Sequence, residues 1–143
     1  MIYTPLVKKA CNILFDAHKN DFDKGGYPYV FHPFYLATQM EDEVSACVAL
    51  LHDVVEDHGD RCSFDALSRE GFPAAITDAL RLLTHTDGTA YMDYVHALAH
   101  NPVARRVKAA DLRHNLDSRR TDGKKPPKYA LYLEALAYLE SRE

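Results

Sequence analysis

The sequence predicts an all-α fold, a single-domain helical bundle over residues 1–143, and three observations predict it. Helix-start signals recur, since Thr4-Pro5 and Asn101-Pro102 each set a capping side chain before a proline, whose φ is already helical and whose missing amide hydrogen the first turn leaves unbonded anyway. Apolar residues then follow at helical spacing, as in Leu6, Ile13 and Leu14 or in Tyr129, Leu133, Leu136 and Leu139. No segment alternates apolar and polar residues as a half-buried strand must, and no internal repeat is present.

Taken in order, the first helix is expected from Pro5 to about His18. The segment NDFDKGGYPYVFHP has a glycine pair and two prolines, so it reads as a structured loop bearing aromatic residues, with His32 at its end. After Pro33, FYLATQM forms a short helix that stops near Glu41 and Asp42, and Asp42 is placed to cap the next one. Residues 44–57, VSACVALLHDVVED, are apolar almost all round at their start, the pattern of a helix buried at the centre of a bundle. Ser63 opens a short helix, Pro73 another ending near His85, Thr89 or Ala90 a third rich in Tyr and Ala, and Asn101 a fourth. The tail from Pro126 is a final amphipathic helix.

Composition narrows the function. A length of 143 residues suits one ordinary domain, and 47% hydrophobic residues with no low-complexity tract is a globular composition. Against 17 Lys and Arg stand 21 Asp and Glu, so a general nucleic-acid or anionic-membrane surface is not expected, although a local basic patch is compatible with that balance. Cys11, Cys47 and Cys62 form no CxxC pair and are odd in number, which points to reduced thiols in a cytoplasmic protein, with Cys47 a core thiol. No apolar stretch is long enough to span a bilayer, and the opening MIYTPLVKKACNILFDAHK is amphipathic rather than leader-like.

The chemistry concentrates at His52-Asp53, near the end of the most apolar segment. An ionised carboxylate buried without a partner is costly enough that such groups are paired or bind a metal. Glu56 and Asp57 follow, one helical turn from His52 and Asp53, and like charges so close repel each other and oppose the helix dipole. No lysine or arginine falls within residues 41–60, so a divalent cation is the natural counter-charge. A second buried charge appears in PVARRVKAADLRHN, where Val103, Val107 and Asp111 share one stripe and Asn115 extends it by a turn. Mixed imidazole and carboxylate ligands suit manganese, iron or zinc.

These residues resemble a known family. The ordered set DKGGYPYVFHP, ALLHDVVED and VKAADLRHN, over roughly residues 8–120, is similar to the HD-domain phosphohydrolases and in particular to the hydrolase domain of RelA/SpoT-type guanosine tetraphosphate enzymes and their small relatives. The resemblance implies a helical bundle around one Mn²⁺ held by His32, His52, Asp53 and Asp111, with Glu56 and Asp57 assisting the attacking water and Asn115 contacting the nucleotide. It implies removal of the 3′ pyrophosphate from (p)ppGpp, and alarmone synthesis, which needs a further domain, is not expected. Where such hydrolases carry an Arg-Lys pair before the DKGG-like segment, this chain has Asp21 and Phe22, so NADPH or a nucleoside monophosphate stays open as substrate, as does a nucleotide-binding module without turnover. Phe22 or Tyr27 is a candidate to stack on a base, and Lys24 and Lys108 are candidates for phosphate contact, with Arg113, Arg119, Arg120, Lys124 and Lys125 as further cations flanking the Asp111 motif. His18, His58, His85, His96, His100 and His114 show no ligand spacing and read as ordinary surface or partly buried residues. The pattern leaves the oligomeric state open.

Overall fold

The most apolar segment of the chain lies at the centre of the structure. In the computed structural model, which describes residues 1–143, every residue from Ser45 to Leu51 is buried. This helix, α3 (Glu43–Leu51), is capped as the sequence predicts, the Asp42 carboxylate accepting from the Ser45 amide at 2.8 Å. Around it pack α1 (Pro5–His18), α2 (Phe31–Thr38), α6 (Ala74–Leu83) and α8 (Pro102–Asn115). The caps of α1 and α8 form as expected: the Thr4 hydroxyl accepts from Val7, and the Asn101 side chain accepts from Val103 and Ala104.

The outer helices are α4 (Val54–His58), α5 (Phe64–Arg69), α7 (Tyr91–Leu98) and α9 (Tyr129–Glu140), which lies on α8. A short 3₁₀ turn, Ser118–Thr121, joins α8 to the final segment. There are no strands; one isolated bridge links Phe22 to Pro28. A single cluster of 33 buried apolar residues fills the interior. No helix is long and apolar enough to cross a membrane.

Two boundaries differ from the sequence expectation, and both matter for the site. α2 begins at Phe31 rather than after Pro33, because a proline within the first turn removes only an amide hydrogen that the turn does not use. His32 therefore stands on a helix and not at the end of a loop. The expected helix over residues 44–57 is broken into α3 and α4, with His52 and Asp53 at the break and Asp53 at φ −108°, ψ −1°. The His52 ring donates through Nδ1 to the Ala49 carbonyl at 2.7 Å, the oxygen that an unbroken helix offers to the Asp53 amide.

The loop from residue 19 to 30 is tied down locally. The Asp23 carboxylate accepts from the amides of Gly25 and Tyr27, both at 2.9 Å. Gly25 passes so close to the 3₁₀ turn after α8 that an added Cβ would sit 1.9 Å from the Arg120 carbonyl oxygen, so only glycine fits there. Gly26, at φ +87°, completes the turn. Leu50→Ala should destabilise the protein by roughly 2–5 kcal/mol, because α3 is enclosed on all sides and its surroundings collapse poorly. Urea unfolding monitored by far-UV circular dichroism measures this, and a loss below 1 kcal/mol would contradict the central placing of α3.

Candidate metal centre

Four side chains from three segments meet beneath the surface. His32 comes from the first turn of α2, His52 and Asp53 from the break after α3, and Asp111 from the third turn of α8. His32 Nε2 lies 2.8 Å from Asp111 Oδ1, and His52 Nε2 lies 3.2 Å from Asp53 Oδ2 and 3.5 Å from Asp111 Oδ1. Ligand atoms of His32, His52 and Asp53 all fall within 4.8 Å of one another. Despite these neighbours, His52 Nε2 is a buried nitrogen with no hydrogen bond. Donors held at roughly 2.0–2.2 Å by one cation stand about 3 Å apart, so the spacing and the unbonded nitrogen together fit a divalent ion.

Each of these groups is oriented by a neighbour. Tyr29 donates its hydroxyl to Asp53 Oδ2. The His32 and His114 rings lie parallel and edge to edge, centroids 5.0 Å apart with an interplanar angle of 1°, and their Nδ1 atoms are 2.7 Å apart. With a cation on His32 Nε2 the shared proton would lie on His32 Nδ1, with His114 accepting; without one, Nε2 carries a proton to Asp111. Asn115 Nδ2 donates to Asp111 Oδ1 at 3.1 Å, and Lys108 Nζ donates to Asp111 Oδ2 at 2.8 Å. Such outer contacts fix the tautomer and the aim of ligand side chains.

The charges answer one another. Burial pulls His52 down, but the carboxylates of Asp53 and Asp111 outweigh it and hold the ring protonated well above the ordinary imidazole range. Burial would raise Asp53, yet His52 keeps it at about 2. Burial would likewise raise Asp111, and Lys108 foremost holds it well below the usual carboxylate value. Without a cation, His52 and Lys108 therefore carry the positive charge that the two carboxylates require. His32 is lowered by burial and stays neutral, as a ligand must be.

Two cavities adjoin this cluster. The smaller, about 190 Å³, is lined by His52, Asp53, Glu56, Lys108 and Asp111, and there Glu56 Oε1 accepts from the His85 amide at 2.9 Å. The larger, about 570 Å³, runs past His32, Asp53 and Asn115 to Lys24, Arg120 and the Lys124-Lys125 pair. Asp57 lies on the exposed face of α4, where incomplete solvation and then the charges of Asp53 and Glu56 push it up to about 6. Of the cations expected near phosphate, Lys24, Arg120, Lys124 and Lys125 gather along the large cleft. Lys108 is instead bonded to Asp111, Arg113 pairs with Glu140 and Glu143, and Arg119 with Asp117. Phe22 also lines the cleft, whereas Asp21 is held by His18 and His58. Tyr27 lines a separate aromatic hollow with Phe31 and Phe34.

No family model matches the chain. A probable GTP pyrophosphokinase of Mycobacterium leprae (strain TN) is 28% identical to it over 127 residues, covering 80% of this chain, and the chain spans only 16% of that protein. A solved structure of a metazoan ortholog of SpoT, a protein that hydrolyzes ppGpp and plays a role in starvation responses, matches with a TM-score of 0.74 at 20% identity, over 99% of this chain and 87% of the other. The chain has the SpoT-type fold. The all-α expectation and the resemblance to RelA/SpoT-type proteins are thus met.

In this chain, residues absent from the sequence-based site complete it. Tyr29 stands in the turn before α2, three positions ahead of His32, and His114 stands on α8 three positions after Asp111, a spacing that shares a helix face only in the second case. His114, expected to be ordinary, hydrogen-bonds a ligand-type histidine, while His85 reaches Glu56 through its backbone, which no side-chain pattern reveals. The raised Asp57 has a sign that can be checked. Its folded value of about 6 exceeds the roughly 3.9 of an unfolded aspartate, so the folded state binds the extra proton and stability falls as pH rises through that window. In chelator, Asp57→Asn should melt above the parent protein at pH 7, and the difference should vanish below about pH 4. Thermal melts across this range decide it; a variant that melts lower at pH 7 would mean that the ionised form of Asp57 is favoured in the fold.

Proposed function

We propose that this protein is a divalent-cation-dependent phosphohydrolase of a small nucleotide, with removal of the 3′ pyrophosphate of (p)ppGpp, giving GDP or GTP, as the favoured reaction. The observation that carries the reading is the unbonded His52 Nε2, facing two carboxylates beside the neutral His32, with His32 and Asp53 in turn lining a cleft whose rim is basic. His32, His52, Asp53 and Asp111 would hold the ion, for which Mn²⁺ suits the mixed nitrogen and oxygen donors. A cation bound there lowers the pKa of water and neutralises phosphoryl oxygens.

The remaining roles belong to the chain. Asp57, half-protonated at about pH 6 and ionised above it, is matched to accept a proton from water near neutrality. Glu56, anchored by the His85 amide, is held in place to orient that water. Lys24, Arg120, Lys124 and Lys125 would receive phosphate oxygens along the cleft, with Asn115 beside them and Phe22 offering a face to a base. Lys108, bonded to Asp111, acts in this reading as a counter-charge at the floor and not as a phosphate ligand. The likeness to the SpoT ortholog, which hydrolyzes ppGpp, supports the choice of substrate.

A second reading, hydrolysis of another phosphate ester such as NADPH or a nucleoside monophosphate, draws on Asp21, which contributes no positive charge where related hydrolases have a basic pair. Incubating the Mn²⁺-loaded protein with ppGpp should release pyrophosphate, and Asp53→Ala should reduce the rate on the order of 100-fold or more. Turnover of NADPH or a monophosphate with ppGpp inert would replace the first reading by the second, and tight nucleotide binding with no cation-dependent turnover would remove both. Asp111→Ala should lower the melting temperature of the Mn²⁺-loaded protein more than that of the chelated protein, since bound cation stabilises only the folded state. Equal shifts under the two conditions would mean that Asp111 holds no ion.

A further inference from the structure

A second convergence of ligand-type side chains lies beside the first and takes no part in the reaction above. His18 from the last turn of α1, Asp21 from the loop that follows and His58 from the end of α4 bring Nδ1, Oδ2 and Nε2 within 4.8 Å of one another. Both nitrogens face the same oxygen, Asp21 Oδ2 standing 2.8 Å from His18 and 2.6 Å from His58. No lysine or arginine pairs with this carboxylate. The His18 side chain is 1% exposed, whereas those of His58 and Asp21 are 22% and 38% exposed, so the cluster is anchored in the core and opens to solvent on one side.

Both rings can donate to Asp21 Oδ2 when the cluster is empty, and a cation in place of those two protons would use the same three atoms, His18 Nδ1, Asp21 Oδ2 and His58 Nε2. His18 is lowered by burial and is therefore neutral, and Asp21, through its bond to His58, is held ionised below the usual range. Neutral imidazole and ionised carboxylate are the forms that bind metal. Two imidazoles and one carboxylate with an open, water-accessible side make the three-ligand set of a zinc-type site.

We propose that His18, Asp21 and His58 form a second cation site, selective for a borderline transition ion such as zinc, with solvent completing its coordination. The site is wired to the first by contact. The His18 ring packs 4.5 Å from the ring of Tyr29, whose hydroxyl donates to Asp53, and His58 directly follows Asp57 in the chain. An ion at this position stands one residue away from each of two groups of the first centre. The proposal does not depend on the hydrolase reading, because it concerns different ligands.

Metal stoichiometry tests it. Chelator-stripped protein is loaded with zinc, desalted and subjected to elemental analysis, alongside His58→Gln, Asp21→Asn and Asp111→Ala, with melts in chelator confirming that each variant is folded. The expected result is two equivalents in the parent chain, one in each single variant and none in His58→Gln combined with Asp111→Ala. Two partly exposed ligands are varied separately so that a folding defect in one leaves the other informative. A single equivalent that persists in His58→Gln and Asp21→Asn but is lost in Asp111→Ala would overturn the proposal and leave only a hydrogen-bonded brace. A single equivalent with the reverse pattern would support it while removing the first centre, so the two claims fail separately.

Discussion

The structure depends on keeping Asp111 ionised inside the protein. Its side chain is 6% exposed, at a position of α8 where Val107, one turn earlier, is part of the core. An unpaired charge at such depth costs several kcal/mol, and removing one partner of a buried pair costs about 3–5 kcal/mol. Lys108, Asn115 and His32 share the task of compensating it, from α8 itself and from α2. The register of α8 is thereby fixed against α2 and the end of α3, and the same contacts that lower the energy of one carboxylate define the geometry of the whole centre.

The break between α3 and α4 follows from the same demand. On an unbroken helix neighbouring residues point about 100° apart, so His52 and Asp53 could not both face Asp111 and His32. Turning the backbone at Asp53 to φ −108°, ψ −1° brings both side chains to one point, and the His52 ring takes over the carbonyl that the break releases. That bond fixes Nδ1 as the protonated nitrogen and leaves Nε2 to the site. A local loss of helix is thus the condition for two adjacent side chains to converge on one point.

Much of the fold was legible because its signals are local. The caps at Thr4, Asp42, Ser63 and Asn101 and the apolar run from Ala46 to Leu51 are read within a few residues of the helices they define. The break was not legible, since apolar spacing runs through it and the force that bends the chain comes from Asp111, far away in sequence. For the same reason the sequence does not set His58 beside Asp21, 37 positions earlier, or His114 beside His32, 82 positions earlier. Lys108 is a different case. Its place three residues before Asp111 marks an ion pair on one helix face, and reading it as a free phosphate contact overlooked that nearer partner.

Charge is divided within the site in a way that bears on the ligand. A net charge of −4 repels polyanions at long range, yet the cleft beside the acidic floor is rimmed by Lys24, Arg120, Lys124 and Lys125. Arg120 is already engaged by Asn115, His114 and Asp23, so it stiffens the rim, while Lys125 lies over the Tyr129 ring and Lys24 and Lys124 make no ion pair on that side. A monophosphate attacked at the floor would make little use of them. A ligand with phosphates on two sides of a nucleoside would engage the floor with one group and the rim with the other, and the basic rim would offset the repulsion that the acidic chain imposes on its approach. Within the proposed function, the spatial separation of these two charge fields favours a polyphosphorylated nucleotide over a simple monoester.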